Sequence, residues 1–226
     1  MFADDEPVKI VTFSFDDGVN NDLRLANLLR RYRIKATFNL NSGIMSHEQC
    51  WDYDGQKVFR LTPEEAIKVY TGFEIASHGK SHAFLNERNE EETEEEIVSD
   101  VLALSSLFKQ EIKGFVTPFG PSNAYVDGIL RKSGIVWCRG VKSTHSFDLP
   151  DDLLHFEPSA HFADPYLDEL VDEFIKMEPH KKEVLFIWGH SYELNSEEKW
   201  ASLEKLLRTL SDEANILKLT NSEALL

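Results

Sequence analysis

The chain has 226 residues, 42% of them hydrophobic and 15 of them Phe, and its 40 acidic against 24 basic side chains give a formal charge of -16. That length suits one domain with a sizeable core and lies within reach of an α/β barrel. The acidic balance argues against nucleic acid or an anionic membrane surface as a partner, since both call for a basic footprint, and no apolar run approaches membrane-spanning length.

Residues 1–9 are acidic and lack the apolar segment of a signal peptide, which reads as a cytoplasmic chain. The two cysteines, Cys50 and Cys138, lie far apart without C-x-x-C spacing, so neither a disulfide framework nor a cysteine metal site is expected. Any metal would be held by His and carboxylate. In chain order, residues 9–15 read as a strand and 21–32 as an amphipathic helix carrying Leu23, Leu25, Leu28 and Leu29. A second strand is expected over 35–40, followed by an irregular stretch containing Gly and Asp. Thr62-Pro63-Glu64-Glu65 marks a helix start, an N-cap followed by Pro at the first helical position. A short strand over 73–77 precedes a long helix over 87–108, which opens with seven Glu between positions 87 and 96 and reads as a solvated start favoured by the helix dipole. Strands follow at 114–117, 135–141, 183–188 and 216–219, with helices at 125–132, 165–176 and 197–210. Residues 142–165 give no clear pattern. Alternating strands and helices favour a mostly parallel sheet with helices outside, an α/β fold of one domain over 1–226.

Four strand ends carry chemistry. The run Val11-Thr12-Phe13-Ser14-Phe15 ends in Asp16-Asp17-Gly18, two carboxylates that can share a site because the chain turns there. Paired carboxylates allow one to bind a cation while the other stays free as a base, although Asp-Gly is also ordinary turn chemistry. Ser77-His78-Gly79-Lys80-Ser81-His82 follows the strand at 73–77, and an i, i+4 His pair on a helical turn is a common way to hold one metal. Phe115-Val116-Thr117-Pro118-Phe119-Gly120-Pro121 runs a strand into a tight turn able to fix backbone N–H groups for an oxyanion. Finally, Val184-Leu185-Phe186-Ile187-Trp188-Gly189 delivers His190 at a strand end. In a parallel barrel all four ends share one face.

Together these motifs, from about residue 8 to about residue 219, resemble the polysaccharide deacetylases of carbohydrate esterase family 4. The resemblance implies a distorted (β/α) barrel, often of seven strands, and a divalent metal held by Asp17, His78 and His82. Zinc is favoured by that ligand set, with Co, Ni, Mn or Fe tolerated. It further implies Asp16 as general base, His190 as the acid that protonates the departing amine, and the Phe119 N–H as an oxyanion donor within the turn Pro118-Phe119-Gly120. The substrate implied is an acetylated carbohydrate. An O-acetyl ester, a small amide or formamide, or a non-catalytic binding role remain alternatives; without an export signal, a soluble small glycan fits better than wall-bound polymer.

The chain departs from the family pattern twice. The family's Arg two residues before the Pro of the third motif is Val116 here, and an Asp-rich fourth motif is replaced by Val136-Trp137-Cys138-Arg139-Gly140. Arg139, near a strand end, is the candidate to supply the missing cation beside Asp16. An exposed edge Arg is the competing reading. Trp188 and Tyr192 are candidates for a sugar-stacking floor, while Trp137 reads as rim packing. Glu193 could orient His190. Of His47, His145, His155, His161 and His180, all without a partner motif, His161 lies in the unread segment that could line a cleft.

Overall fold

The computed structural model describes residues 6–120 and 122–226; residues 1–5 of the acidic N-terminus and Pro121 of the third motif lie outside the described residues. The first strand, β1 (Val8–Asp16), is buried along nearly its whole length. An uninterrupted apolar run of that kind belongs to a parallel strand covered on both faces. It is followed by α1 (Asp22–Arg31), which buries Leu25, Ala26, Leu28 and Leu29. Leu23, expected on the same face, is instead 56% exposed.

After β2 (Thr37–Leu40) comes an antiparallel hairpin, β3 (Cys50–Tyr53) with β4 (Gln56–Phe59), in the stretch expected to be irregular. Asp54 and Gly55 form its tip with φ of 51° and 80°, the two left-handed residues that a tight hairpin turn demands. α2 (Pro63–Val69) begins as the sequence predicts, with a reciprocal Thr62–Glu65 capping box and Pro63 in the first turn. β5 (Glu74–Ser77) leads to the segment expected as one helix over 87–108. The observed helix starts at α3 (Glu90–Glu94), capped by Asn89, passes through a π-helical turn (Glu95–Ser99) and continues as α4 (Asp100–Phe108). Such a one-turn widening rotates the side chains that follow it.

The second half comprises β6 (Gly114–Val116), α5 (Ala124–Lys132), β7 (Trp137–Arg139), β8 (Ala160–His161), α6 (Leu167–Lys176), β9 (Lys182–Gly189), α7 (Glu197–Asp212), β10 (Ile216–Leu219) and a terminal α8 (Asn221–Leu225). On α6 the stripe Leu167, Leu170, Val171 and Phe174 is buried, and each such side chain contributes about 1.5–3 kcal/mol over its exposed state.

The main sheet is parallel throughout, in the order β7-β6-β5-β2-β1-β9-β8, with β10 beside the first half of β1. Its two edges are linked by one segment. The Phe156 amide donates to Cys138 O and its carbonyl accepts from Gly140 N, at 3.2 and 2.9 Å, while Ala160 and His161 pair with Ile187 and Trp188 of β9. The result is a distorted (β/α) barrel, and the unread segment supplies its last link. At the opposite end of the strands, Trp137 packs over Gly114, where an added Cβ would meet the indole at 1.9 Å, and donates from Nε1 to Ser222 Oγ at 2.8 Å. Trp137 is therefore core packing at the far end of the strands, and not rim packing beside the chemistry-bearing ends as the sequence suggests. Cys138 is buried and Cys50 exposed, both as free thiols. Among the described residues no helix is long and apolar enough to cross a membrane.

Candidate active site

The C-terminal ends of β1, β5, β6, β7 and β9 bring the chemistry-bearing side chains together. At the end of β1, Asp16 and Asp17 are 1% and 6% exposed. The alternation that would send them to opposite faces is broken because Asp17 itself adopts φ 84°, with Gly18 following at φ 68°. A left-handed Asp costs on the order of 1–3 kcal/mol unless its surroundings hold it. They do so through Arg60, just after β4, whose Nη1 donates to the Asp17 carbonyl and whose Nη2 lies 3.0 Å from Asp17 Oδ1. Arg60 Nη1 also donates to Asn41 Oδ1 at 2.7 Å, and Asn41 Nδ2 reaches the carbonyls of His78 and Gly79 at 2.5 and 2.7 Å. One chain of polar contacts thus ties the Asp17 turn to the His78 loop.

That loop is not the helical turn that the i, i+4 spacing suggested. Gly79 and His82 both have positive φ, 75° and 58°, and the two imidazoles meet edge to face with centroids 4.7 Å apart. The loop is fixed from the Glu-rich segment: Glu96 accepts from Ser81 N and Oγ at 2.8 and 2.5 Å, and Glu95 pairs with Lys80 at 2.6 Å. Two of the seven Glu therefore have a structural job beyond solvation. Beneath the loop, buried Asp100 accepts from Ser77 Oγ and Ser42 N.

Asp17, His78 and His82 each offer a ligand atom within 4.8 Å of the others. Nε2 of His82 and of His78 lie 3.5 and 4.0 Å from Asp17 Oδ1. Ligands placed about 2.0–2.2 Å from a tetrahedral ion are about 3.3–3.6 Å apart, so a small closure at His78 completes the fit. His78 Nδ1 is 2.7 Å from Val116 O, a partner that can only accept. The Nδ1 proton is thereby fixed and the Nε2 lone pair faces the site, the outer-shell arrangement of metal-ligating histidines. Burial, acting against nearby Asp16, pushes the His78 imidazole down to about 4 and keeps it neutral. The donor set fits a divalent cation, with positions left open for water and substrate.

Asp16 is held differently. Its Oδ1 accepts from Arg139 Nη2 at 2.5 Å and from Asn39 Nδ2 at 2.7 Å, leaving Oδ2 toward His190 Nε2 at 3.9 Å. Burial raises the Asp16 carboxyl, but the charge and hydrogen bond of Arg139, with His190 beyond, more than offset it and hold the group below its ordinary value. Arg139 is 1% exposed and lies with its guanidinium 4.6 Å from the centre of the Trp188 ring, so it is not an exposed edge residue. The β6–β7 register sets Arg139 directly beside Val116. The cation missing from the third motif is supplied by the neighbouring strand.

On the other side, His190 follows β9 with Nε2 at 3.9 Å from both Asp16 Oδ2 and Asp17 Oδ2. Its Nδ1 lies 3.5 Å from Glu193 Oε1, and Glu193 Oε2 lies 2.9 Å from His161 Nε2. Burial lowers the His190 imidazole, but Glu193 with Asp16 and Asp17 outweighs it, and the group sits above its ordinary value. Phe119 occupies the turn after Pro118 with φ 63°; Gly120 N closes that turn on Thr117 O at 2.9 Å. Its ring is 57% exposed and contacts His82 at 4.8 Å. Tyr192 packs against His190, Trp51 and Tyr53, the last two from the β3–β4 hairpin. Trp188, in contrast, is 8% exposed and sandwiched by Arg139 and His161, which leaves it little surface for a sugar ring. His47, His145 and His155 pair with carboxylates outside this site.

Sequence reasoning thus reached Asp16, Asp17, His78, His82, Arg139, Phe119 and His190, which the fold brings together. It missed Arg60, Asn39, Asn41 and Glu96, none of which sits in a recognisable motif.

Residues 3–137 match the sequence profile of the polysaccharide deacetylases, and the chain belongs to that family. No curated protein matches it. Among solved structures, a family 4 carbohydrate esterase from Streptomyces lividans is 18% identical, with a TM-score of 0.61 over 94% of this chain and 93% of that one. The peptidoglycan deacetylase PdaC from Bacillus subtilis is 16% identical, with a TM-score of 0.57 over 98% of this chain and 92% of that one. A family 4 pseudoenzyme from Bacillus anthracis is 14% identical, with a TM-score of 0.62 over 97% of this chain and 66% of that one. At these identities the likeness establishes the fold, and both enzymes and a pseudoenzyme share it.

Proposed function

We propose that the protein is a metal-dependent hydrolase, the whole chain acting as one catalytic domain that removes an acetyl group from an N-acetylated sugar or oligosaccharide. The observation that carries this reading is the facing of Asp16 and His190, 3.9 Å apart, beside the cluster of Asp17, His78 and His82. A binding module needs neither a base nor an acid. Retention of both, and a buried Arg139 on Asp16 where the family motif has lost its Arg, favour catalysis over the pseudoenzyme alternative.

Asp17, His78 and His82 would hold the cation, zinc by preference for two imidazoles and one carboxylate. A divalent ion bound there polarises the acetyl carbonyl and acidifies the attacking water. Asp16 acts as the base: Arg139 and Asn39 saturate Oδ1, so Oδ2 is the oxygen that takes the proton from water. His190, held above its ordinary value, carries the proton that the departing amine requires from Nε2. The Phe119 N–H is the backbone donor for the oxyanion. Phe119 and Tyr192 serve as the aromatic surface for the sugar, while Trp188 supports Arg139.

The test is acetate release from acetylated chitooligosaccharides, acetylated xylan and N-acetylglucosamine, before and after chelation and zinc restoration. Release from an N-acetylated substrate that chelation abolishes and zinc restores is expected. Release confined to xylan would move the assignment to an O-acetyl esterase, and none from any of them to another acyl substrate or a binding role.

A further inference from the structure

Beside Asp17, His78 and His82, a second tight cluster joins His190 to two residues that no family motif names, His161 and Glu193, their ligand atoms within 4.8 Å of one another. Such a trio could hold a cation or act as a charge-paired unit, and the tautomer of His161 separates the two. Ala163 N donates to His161 Nδ1 at 3.1 Å, so the ring proton of a neutral His161 sits on Nε2. That Nε2 lies 2.9 Å from Glu193 Oε2. To ligate a metal, Nε2 would have to lose its proton to Nδ1, which would then oppose the Ala163 N–H donor to donor. The cluster is therefore a charge-paired unit of His161, Glu193 and His190 and not a metal site.

We infer that Glu193 and His161 are positioning residues for His190. Glu193 Oε2 also accepts from the His190 amide at 3.3 Å, and Oε1 is the carboxylate oxygen nearest the buried His190 Nδ1, at 3.5 Å. Glu193 thus holds His190 by its backbone and sets a carboxylate oxygen beside the ring, where Nδ1 is buried without a hydrogen-bond partner of its own, and His161 anchors Glu193 from behind. With Glu193 the charged group nearest Nδ1, Nε2 is the nitrogen that faces the Asp16–Asp17 side. Gly189 makes this close approach possible: an added Cβ would lie 3.0 Å from His161 Nε2 and 2.2 Å from Phe162 Cδ1. As the C–N bond of the tetrahedral species breaks, the nitrogen takes the bonding pair and the Nε2 proton. His190 then retains the Nδ1 proton beside Glu193 and is neutral. The unit exchanges no proton of its own; it fixes the ring from which the proton departs.

This inference rests on the proposed deacetylase function and deepens it. Its signature is dependence on the leaving group. An amine departs only when protonated, whereas 4-nitrophenolate departs unaided. The zinc-loaded protein and its Glu193→Gln, His161→Ala and His161→Gln variants are assayed on an N-acetylated chitooligosaccharide and on 4-nitrophenyl acetate, with zinc affinity measured by calorimetry. Glu193→Gln is expected to lower kcat on the amide by about 10- to 100-fold with KM within about twofold, a part of the 10²–10⁴ that a general acid contributes. His161→Ala should cost about tenfold, and His161→Gln, which keeps one N–H donor, should recover most of it. Turnover of the nitrophenyl ester and zinc affinity should stay within about twofold of wild type in all three.

Equal losses on both substrates, no loss in either Glu193→Gln or His161→Ala, or a His161→Gln as impaired as His161→Ala would overturn the positioning role alone. A wild-type protein that binds zinc without releasing acetate, or binds none, overturns the functional reading and the positioning role with it.

Discussion

Replacing Arg139 by leucine removes a cation from a pair in which both side chains are nearly inaccessible, 1% and 2% exposed with Nη2 2.5 Å from Asp16 Oδ1. At an effective dielectric of about 20, two unit charges at that separation attract by about 7 kcal/mol, most of which is offset by desolvating them. Deleting one partner leaves the desolvation of the other uncompensated, and buried pairs broken in this way lose about 3–5 kcal/mol. Asn39 remains on Asp16 Oδ1 but carries no charge. Asp16 then escapes the penalty by taking up a proton, which removes the base. The expected outcome is a melting temperature lower by roughly 6–20 °C, at about 2–4 °C per kcal/mol for a chain of this size, and deacetylation slowed by about 10²-fold or more at neutral pH.

A double-mutant cycle isolates the pair. With Asp16→Asn in place, Arg139→Leu should cost at least about 2 kcal/mol less than it does in wild type, measured by urea unfolding. Additive effects together with undiminished turnover of Arg139→Leu would refute the assignment of Arg139 to Asp16.

Glu96→Ala should weaken zinc binding by about tenfold, the low end of the range for outer-shell partners, because it frees Ser81 N and Oγ and with them the His82 loop. An unchanged dissociation constant by calorimetry would show that the loop is held without it. Asp22 provides the pH dependence: burial lifts this carboxyl to about 7, against hydrogen bonds from Ser191, Tyr70 and Val19. A raised acid is protonated in the fold where the unfolded chain has already released its proton, so its contribution is full below about pH 4 and is lost as pH rises through about 7. Asp22→Asn should lose less stability than wild type between about pH 5 and pH 8, by up to about 3 kcal/mol; identical changes in unfolding free energy between the two pH values would contradict this.

What could be read from the sequence was what local pattern encodes. Asp16, Asp17 and His190 each terminate an apolar run, and a strand end in a parallel fold fixes their common face. Arg139 was reachable because a motif lacked its Arg and a nearby strand carried one. Arg60 was not: it meets Asp17 across 43 residues of sequence, and only the β3–β4 hairpin brings it there. That hairpin had a local signal, Asp54-Gly55 between Trp51-Asp52-Tyr53 and Lys57-Val58, which a reading tuned to α/β alternation passed over. The helical placement of His78 and His82 failed because an i, i+4 spacing is equally met by a loop with two left-handed residues, and Glu96, which pins that loop, lies on another element. His161 stood out in the sequence, but the strand Ala160–His161 did not, since a two-residue strand has no periodicity to detect.

The most direct test of the central claim is calorimetric titration of Asp16→Asn with zinc, paired with acetate release from an N-acetylated chitooligosaccharide. The account predicts that the variant binds about one equivalent with near wild-type affinity and releases no acetate, because Asp17, His78 and His82 hold the ion while Asp16 serves only as base. Acetate release that survives the substitution, or zinc binding lost with it, would contradict that division of labour.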